Sequence, residues 1–240
     1  PVLIFSLEMS GKQLVSRIIA SEIDIEYKYI AFGKMDDTRL EHYHRNLGKV
    51  DGLDIYIDDT PALSVYEFRS KCRRMKEKHG IEIVFVDYVQ LMTLGNKSIG
   101  NREQEISKIS AMLKMTAKEI DLPIIALAQL SRKVEERKIP RPILIDLRES
   151  GSLEQDADIV GFIFRPDEYG ITEEKISESN VITHEPGKAE IIIAKFRNGE
   201  TSTVNLKFIS RLSKFDDWNP HQLTIDAPHP DKFIESDMPF

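Results

Sequence analysis

Cysteine is nearly missing from this sequence: Cys72 is the only one in 240 residues. A disulfide framework within the chain is excluded, and the composition fits a reducing compartment, the cytoplasm. Long apolar runs are missing too. No stretch reaches the roughly 20 residues that cross a bilayer, so no membrane partner is expected. An excess of basic residues is also missing. The formal net charge is −7, which argues against a surface coated by nucleic acid but leaves room for one basic groove. Internal repeats are absent. So is a complete phosphate-binding loop. Gly11-Lys12 looks like the end of one, but the pattern G-x-x-x-x-G-K-[ST] needs an earlier glycine and a hydroxyl after the lysine. Gln13 follows Lys12, and no glycine stands before Gly11. His42 and His44 sit two apart in a helical pattern and face different ways, so they make a poor metal pair. Cys72 lies in a basic helical stretch and reads as packing.

What is present is an α/β pattern. Hydrophobic residues make up 41% of the chain, enough to bury a core. Val2 to Leu7 is a continuous apolar run, as in a strand buried on both faces. Ser10 then offers a helix cap ahead of Leu14, Ile18 and Ile19. Residues 36–50 are helical in pattern, and Leu53 to Ile57 reads as a strand. A basic amphipathic helix over 64–79 stops at Gly80. Ile81 to Val86 is a strand closing on Asp87, and a Gly/Asn/Lys-rich loop (Gly95 to Asn101) follows it. The next helix carries Ile106, Ile109, Leu113 and Ala117 on one face. Pro123 to Ala128, Ile159 to Phe164, Ile191 to Ala194 and Val204 to Ile209 are further strands, the last two pairing. This alternation predicts a mostly parallel sheet covered by helices on both faces, with ligands at the carboxyl ends of its strands. Residues 166–188 read as an acidic hairpin excursion. The folded domain is expected to span 1–215, with a loose tail over 216–240.

Several residues carry candidate chemistry. Asp87 ends a buried strand, where a carboxylate can hold magnesium beside phosphates; the alternative is a cap on the next helix. Glu8 also ends a strand and could orient or deprotonate a water, or simply answer a helix dipole. Gln129 ends "IIALAQ", where an amide can bond a γ-phosphate. "DLRESGSLEQDADIV" is a charged stretch that could touch a phosphate backbone through Arg148 and main-chain N–H groups. Lys195 and Arg197 share one strand face before the Asn198-Gly199 turn, suiting either a phosphate or protection of a strand edge.

The order of "SLEMS", "IVFVDYVQLM", "IIALAQLSR", "RESGSLEQDAD" and "AKFRNG" along the chain closely resembles the RecA-like motor domain of the DnaB family of replicative helicases. The resemblance runs from Phe5 to about Phe208. It implies a RecA-like P-loop NTPase core with a C-terminal β-hairpin. The phosphate loop itself is then expected upstream of Pro1, and the 240-residue segment alone is expected to hydrolyse essentially no ATP. The resemblance implies ATP and Mg2+ as cofactors, with Asp87 as the magnesium ligand, Glu8 activating water and Gln129 sensing the γ-phosphate. Lys195 and Arg197 would reach the ATP of an adjacent subunit. Arg148, Glu149 and Gly151 would track single-stranded DNA, with the Gly95 to Arg102 loop, Arg102 included, as a further DNA-facing candidate. Arg17 matches a nucleotide-associated motif position. Implied partners are single-stranded DNA, five further copies in a homohexamer, a primase and a helicase loader, at a bacterial replication fork. Other readings are a recombinase- or clock-type RecA-like ATPase, which should lack "SLEMS" and "RESGSLEQDAD", and a module that only binds DNA or a partner.

Overall fold

The computed structural model describes residues 1–95, 101–177 and 180–219, and their side chains apart from 148–150 and 174–183. The first four strands are β1 (Val2–Ser6), β2 (Ile55–Asp58), β3 (Ile83–Asp87) and β4 (Ile124–Ala126). They form a parallel sheet in the order β2-β1-β3-β4. The helices are α1 (Gly11–Glu22), α2 (Tyr27–Phe32), α3 (Asp37–Asn46), α4 (Val65–His79), α5 (Arg102–Ile120) and α6 (Gly151–Asp156).

Crossover handedness decides which face each helix takes. The step from β1 to β2 runs one way across the sheet and carries α1, α2 and α3 to one face. The steps from β2 to β3 and from β3 to β4 run the other way and carry α4 and α5 to the opposite face. That second face is the main core. Leu3, Phe5, Val84 and Val86 pack there with Phe68, Cys72, Ile106, Ile109 and Leu113, all buried. Only one connection serves the first face, so its β4 side stays open: Ile125 and Leu127 remain 45% and 42% exposed. Helices lie on both faces, as expected, with the β4 side of the first face the less covered among the described residues.

Local chemistry sets the helix ends. Ser10 accepts from the Gln13 N–H while the Gln13 side chain accepts from the Ser10 N–H, a reciprocal cap that starts α1. Ser64 and Glu67 do the same for α4, and Gly80 ends it at a φ of 61°. Gly11 is wedged at the end of β2. Its N–H donates to Asp59 Oδ2 at 2.8 Å, and a Cβ there would stand 3.3 Å from Ile57 Cγ2. Gly11-Lys12 therefore opens a helix against a strand end and is not part of a phosphate loop.

The expected C-terminal hairpin is present and belongs to a larger sheet. β5 (Ile159–Phe164), β8 (Lys188–Phe196), β9 (Ser202–Ile209) and β10 (Lys214–Asp217) form an antiparallel sheet in the order β10-β9-β8-β5. The acidic excursion contains the expected hairpin, β6 (Glu173–Ser177) with β7 (Asn180–Thr183). Strand β10 continues past the limit expected at 215; residues 220–240 of the expected tail lie outside the described residues. The antiparallel sheet has its own cluster, with Leu147, Val160 and Phe162 packed by Leu130, Ile192 and Ala194. β4 ends one sheet and β5 ends the other. Between them lies a cleft of about 490 Å³ lined by Leu113, Ile124, Leu153 and Ile159 among others.

Candidate active site

Strand order brings three of the sequence candidates to one edge. β1, β3 and β4 are consecutive neighbours and parallel, so their carboxyl ends lie side by side. Ser6 is in register with Asp87, and the Leu7 N–H donates to the Asp87 carbonyl at 2.7 Å. Glu8 follows immediately and is exposed. The turn that carries it is pinned by Ser6, whose hydroxyl donates to the Met9 carbonyl at 2.8 Å. Burial pushes the Asp87 carboxyl above the usual carboxylate range, and the nearby Glu8 charge pushes it further in the same direction. Two acids thus share one strand edge with unrelieved repulsion.

Gln129 lies just beyond β4 and is exposed. Its main chain is held by a residue the sequence reading passed over. Gln90 Nε2 donates to the Gln129 carbonyl at 3.0 Å, and Gln90 Oε1 accepts from the Gln129 N–H at 3.2 Å. The signal available in the sequence was only an amide in the short turn after Asp87, which is common in loops. The same turn is clamped from α5. Arg102 donates to the carbonyls of Gln90 at 2.6 Å and Met92 at 3.0 Å, and pairs with Glu105. Arg102, taken from the sequence as DNA-facing, thus spends its donors on the loop that follows Asp87.

A cavity of about 330 Å³ joins Gln90, Arg102 and Gln129 to Asp146 and Leu147. Asp146 is buried, pairs with Arg137 and accepts from the Ile143 N–H at 2.8 Å. It thereby starts the short 3-10 segment Leu144–Ser150 that leads into α6. The Ser131 N–H donates to the Asp146 carbonyl at 3.2 Å, tying the stretch after Gln129 to that segment. Arg148 and Glu149 belong to the segment, and their side chains lie outside the described residues. Gly151 opens α6 with free space where a Cβ would stand. Residues 96–100 of the other DNA-loop candidate also lie outside the described residues.

Lys195 and Arg197 are not with the acids. Lys195 Nζ donates to the carbonyls of Glu154 and Gln155 at the end of α6. Arg197 bonds Asp158 and the Gln155 carbonyl, each at 3.1 Å. Arg17 is exposed on α1, its guanidinium 5.0 Å from the centre of the Tyr27 ring. Cys72 is inert packing: burial pushes its thiol up to about 12. His42 bonds the Ile23 carbonyl at 2.9 Å. Among the described residues no group of three or more His, Cys, Asp and Glu side chains could hold a metal. Asp87 and Glu8 together still suit a hard divalent cation that takes its other ligands from water or substrate oxygens.

A sequence model of the DnaB-like helicase C terminal domain matches residues 1–217. The chain belongs to that family. The DnaB-like assignment agrees with individual relatives. The replicative DNA helicase DnaB of Geobacillus stearothermophilus is 46% identical over 214 residues, covering 89% of this chain and 45% of the relative. The replicative DNA helicase DnaC of Bacillus subtilis is 44% identical over 214 residues, with the same coverage. The chain therefore spans about half the length of these DnaB-like relatives. Among solved structures, one described as an ATPase domain superimposes with a TM-score of 0.80 at 39% identity, over 91% of this chain and 74% of that one. A DnaB-like replicative helicase, described with its interactions with primase, gives 0.79 at 39% identity, over 91% and 50%. The RecA-like fold expected from the sequence is the fold these DnaB-like relatives share. Among the described residues, no helix is long and apolar enough to cross a membrane.

Proposed function

We propose that this chain is the motor of a replicative DNA helicase, coupling ATP hydrolysis to movement along single-stranded DNA and unwinding of the duplex at a bacterial fork. The observation that carries the reading is the alignment of Glu8, Asp87 and Gln129 on the carboxyl edge of three neighbouring parallel strands. That edge is where open α/β sheets take ligands. Asp87 would hold Mg2+, with Glu8 close by, and the ion would supply charge neutralisation for the β- and γ-phosphates. Glu8 aims and deprotonates the attacking water. Gln129 reports the presence of the γ-phosphate through its amide.

The remaining roles are part of the same proposal and rest on the family resemblance. Lys195 and Arg197 bond the end of α6 and the α6–β5 connection rather than Glu8 or Asp87, which suits a phosphate held by a neighbour in a homohexameric ring. Arg148, Glu149 and Gly151 contact the DNA backbone, without reading bases. Among the described residues the cleft between β4 and β5 has an unpaired strand edge on each side, and a strand carrying the phosphate loop would join the two sheets there. Primase and a loader are the expected protein partners; the likeness to a helicase described with primase supports the first.

The test is a mixing experiment with the full-length protein. Arg197→Ala and Glu8→Ala rings should each be inactive as ATPases, with nucleotide binding retained. Mixed rings, verified by mass, should recover activity at interfaces where an intact Glu8 site faces an intact Arg197. Full activity of Arg197→Ala alone would remove the neighbouring-subunit role.

A further inference from the structure

We infer that Asp158 is a latch for Arg197: it holds the guanidinium folded against its own chain and competes with the phosphate of the neighbouring subunit. The inference rests on the reading of Arg197 as a cation that reaches an adjacent nucleotide.

The backbone fixes where Arg197 starts. Its N–H donates to the Asp158 carbonyl at 2.8 Å, just where β5 begins beside the end of β8. Only the side chain is then free to move. In this structure it turns back. One terminal nitrogen donates to Asp158 Oδ1 at 3.1 Å, and the other donates to the Gln155 carbonyl at 3.1 Å. A guanidinium engaged this way must leave Asp158 before both terminal nitrogens can grip a phosphate.

The latch is weak by construction. Arg197 and Asp158 are 48% and 57% exposed, and an ion pair so close to water contributes little. Lys114, from α5, binds the other carboxylate oxygen and draws off part of its charge. The lowered pKa of Asp158, caused first by Lys114, keeps the carboxylate ionised through the neutral range. A phosphate group carries more negative charge and offers several acceptors, so it wins Arg197 when it comes within reach. Release leaves no orphan. The Gln155 carbonyl still accepts from Lys195 at 3.3 Å, and Asp158 still has Lys114.

Position adds a second property. Gln155 lies near the end of α6, and α6 begins at Gly151 directly after the 144–150 segment. A displacement of that segment by bound DNA moves the Gln155 acceptor with the helix, while Asp158, beyond the end of α6, stays tied to the Arg197 main chain. The latch should therefore hold more firmly without DNA than with it.

The test is steady-state ATPase of the full-length protein with and without single-stranded DNA. Asp158→Asn should raise the DNA-free rate roughly two- to fivefold, the worth of an exposed ion pair, and leave the DNA-stimulated rate nearly unchanged. Lys114→Gln should act in the opposite direction, lowering the DNA-free rate, because Asp158 then gives its full charge to Arg197. The double variant should behave like Asp158→Asn. The gain from Asp158→Asn should shrink as salt screens the pair. A purely structural role would lower the rate in both single variants, and that result overturns the latch. So does an unchanged DNA-free rate in Asp158→Asn. Arg197→Ala is the control: if it keeps full turnover, the neighbouring-subunit reading falls and the latch with it. If it is inactive while Asp158→Asn has no effect, only the latch falls.

Discussion

Gln90 does for Gln129 what a neighbouring strand would do, satisfying both main-chain groups at once with its side-chain amide. β4 itself stops at Ala126, so this pairing extends strand-like order to Gln129, beyond the sheet. Substituting Gln90→Ala should leave Gln129 present but loosely placed. The expected result is a roughly ten- to hundredfold fall in kcat with ATP affinity little changed, the pattern of a misplaced reacting group. Gln90→Glu should fall similarly, because the carboxylate cannot donate to the Gln129 carbonyl. Steady-state kinetics beside equilibrium binding of a non-hydrolysable nucleotide would check both.

Asp87 predicts a pH-dependent stability effect of definite sign. Its pKa is raised in the folded chain by burial and by Glu8. Such a group favours the folded state below its unfolded pKa, and that contribution is lost as pH rises through the folded value. At neutral pH the ionised Asp87 therefore costs stability. Asp87→Asn should raise the melting temperature at pH 7 by roughly 1–3 °C while abolishing ATP turnover. The difference should vanish near pH 3, below the unfolded value. Millimolar Mg2+ with nucleotide should stabilise the native protein more than the variant. Thermal melts across pH, with and without Mg2+, measure all of this.

Arg102 separates a structural from a DNA-contacting role. Its two bonds to carbonyls hold the turn after Asp87. Arg102→Ala should cost about 1–2 kcal/mol, discounted for partial exposure, which corresponds to a drop of roughly 2–8 °C in Tm. Affinity for single-stranded DNA should be nearly unchanged. Unaltered stability with weaker DNA binding would favour the DNA-facing assignment instead.

For Arg148 the expected loss is electrostatic and independent of sequence. Arg148→Ala in the full-length protein should weaken binding to all single strands alike. The slope of log K against log salt should become shallower by up to about 0.7 for one lost phosphate contact. A loss confined to one base sequence would contradict the backbone role.

The sequence carried the strand ends well, because period and length mark a buried strand and a polar residue at its end is conspicuous. Asp87, Glu8 and Gln129 were legible for that reason, and strand order then brought them together. Side chains that bond distant main chain were not legible. Gln90 and Gln129 are 39 positions apart, and no periodicity links them. The bonds of Arg102 were hidden for the same reason: a cation after a Gly/Asn/Lys loop looks solvent-directed until its carbonyl acceptors are seen. The open side of the first sheet was hidden because apolar alternation says which face is apolar, not whether a crossover delivers a helix to it. Asp158 read as one charge in a charged run, and only the pairing of β5 with β8 sets it beside Arg197.

The split into two sheets bears on how the chain acquires its structure. The antiparallel sheet draws on residues 159–217 alone, and β8 and β9 are joined by a short turn. The parallel sheet must gather strands scattered from Val2 to Ala126, each closing a long loop before any contact rewards it. With separate clusters beneath them, the two sheets are expected to order separately in this chain, the later part first. In pulsed hydrogen exchange during refolding, amides of β8 and β9 should gain protection ahead of those of β1 and β3.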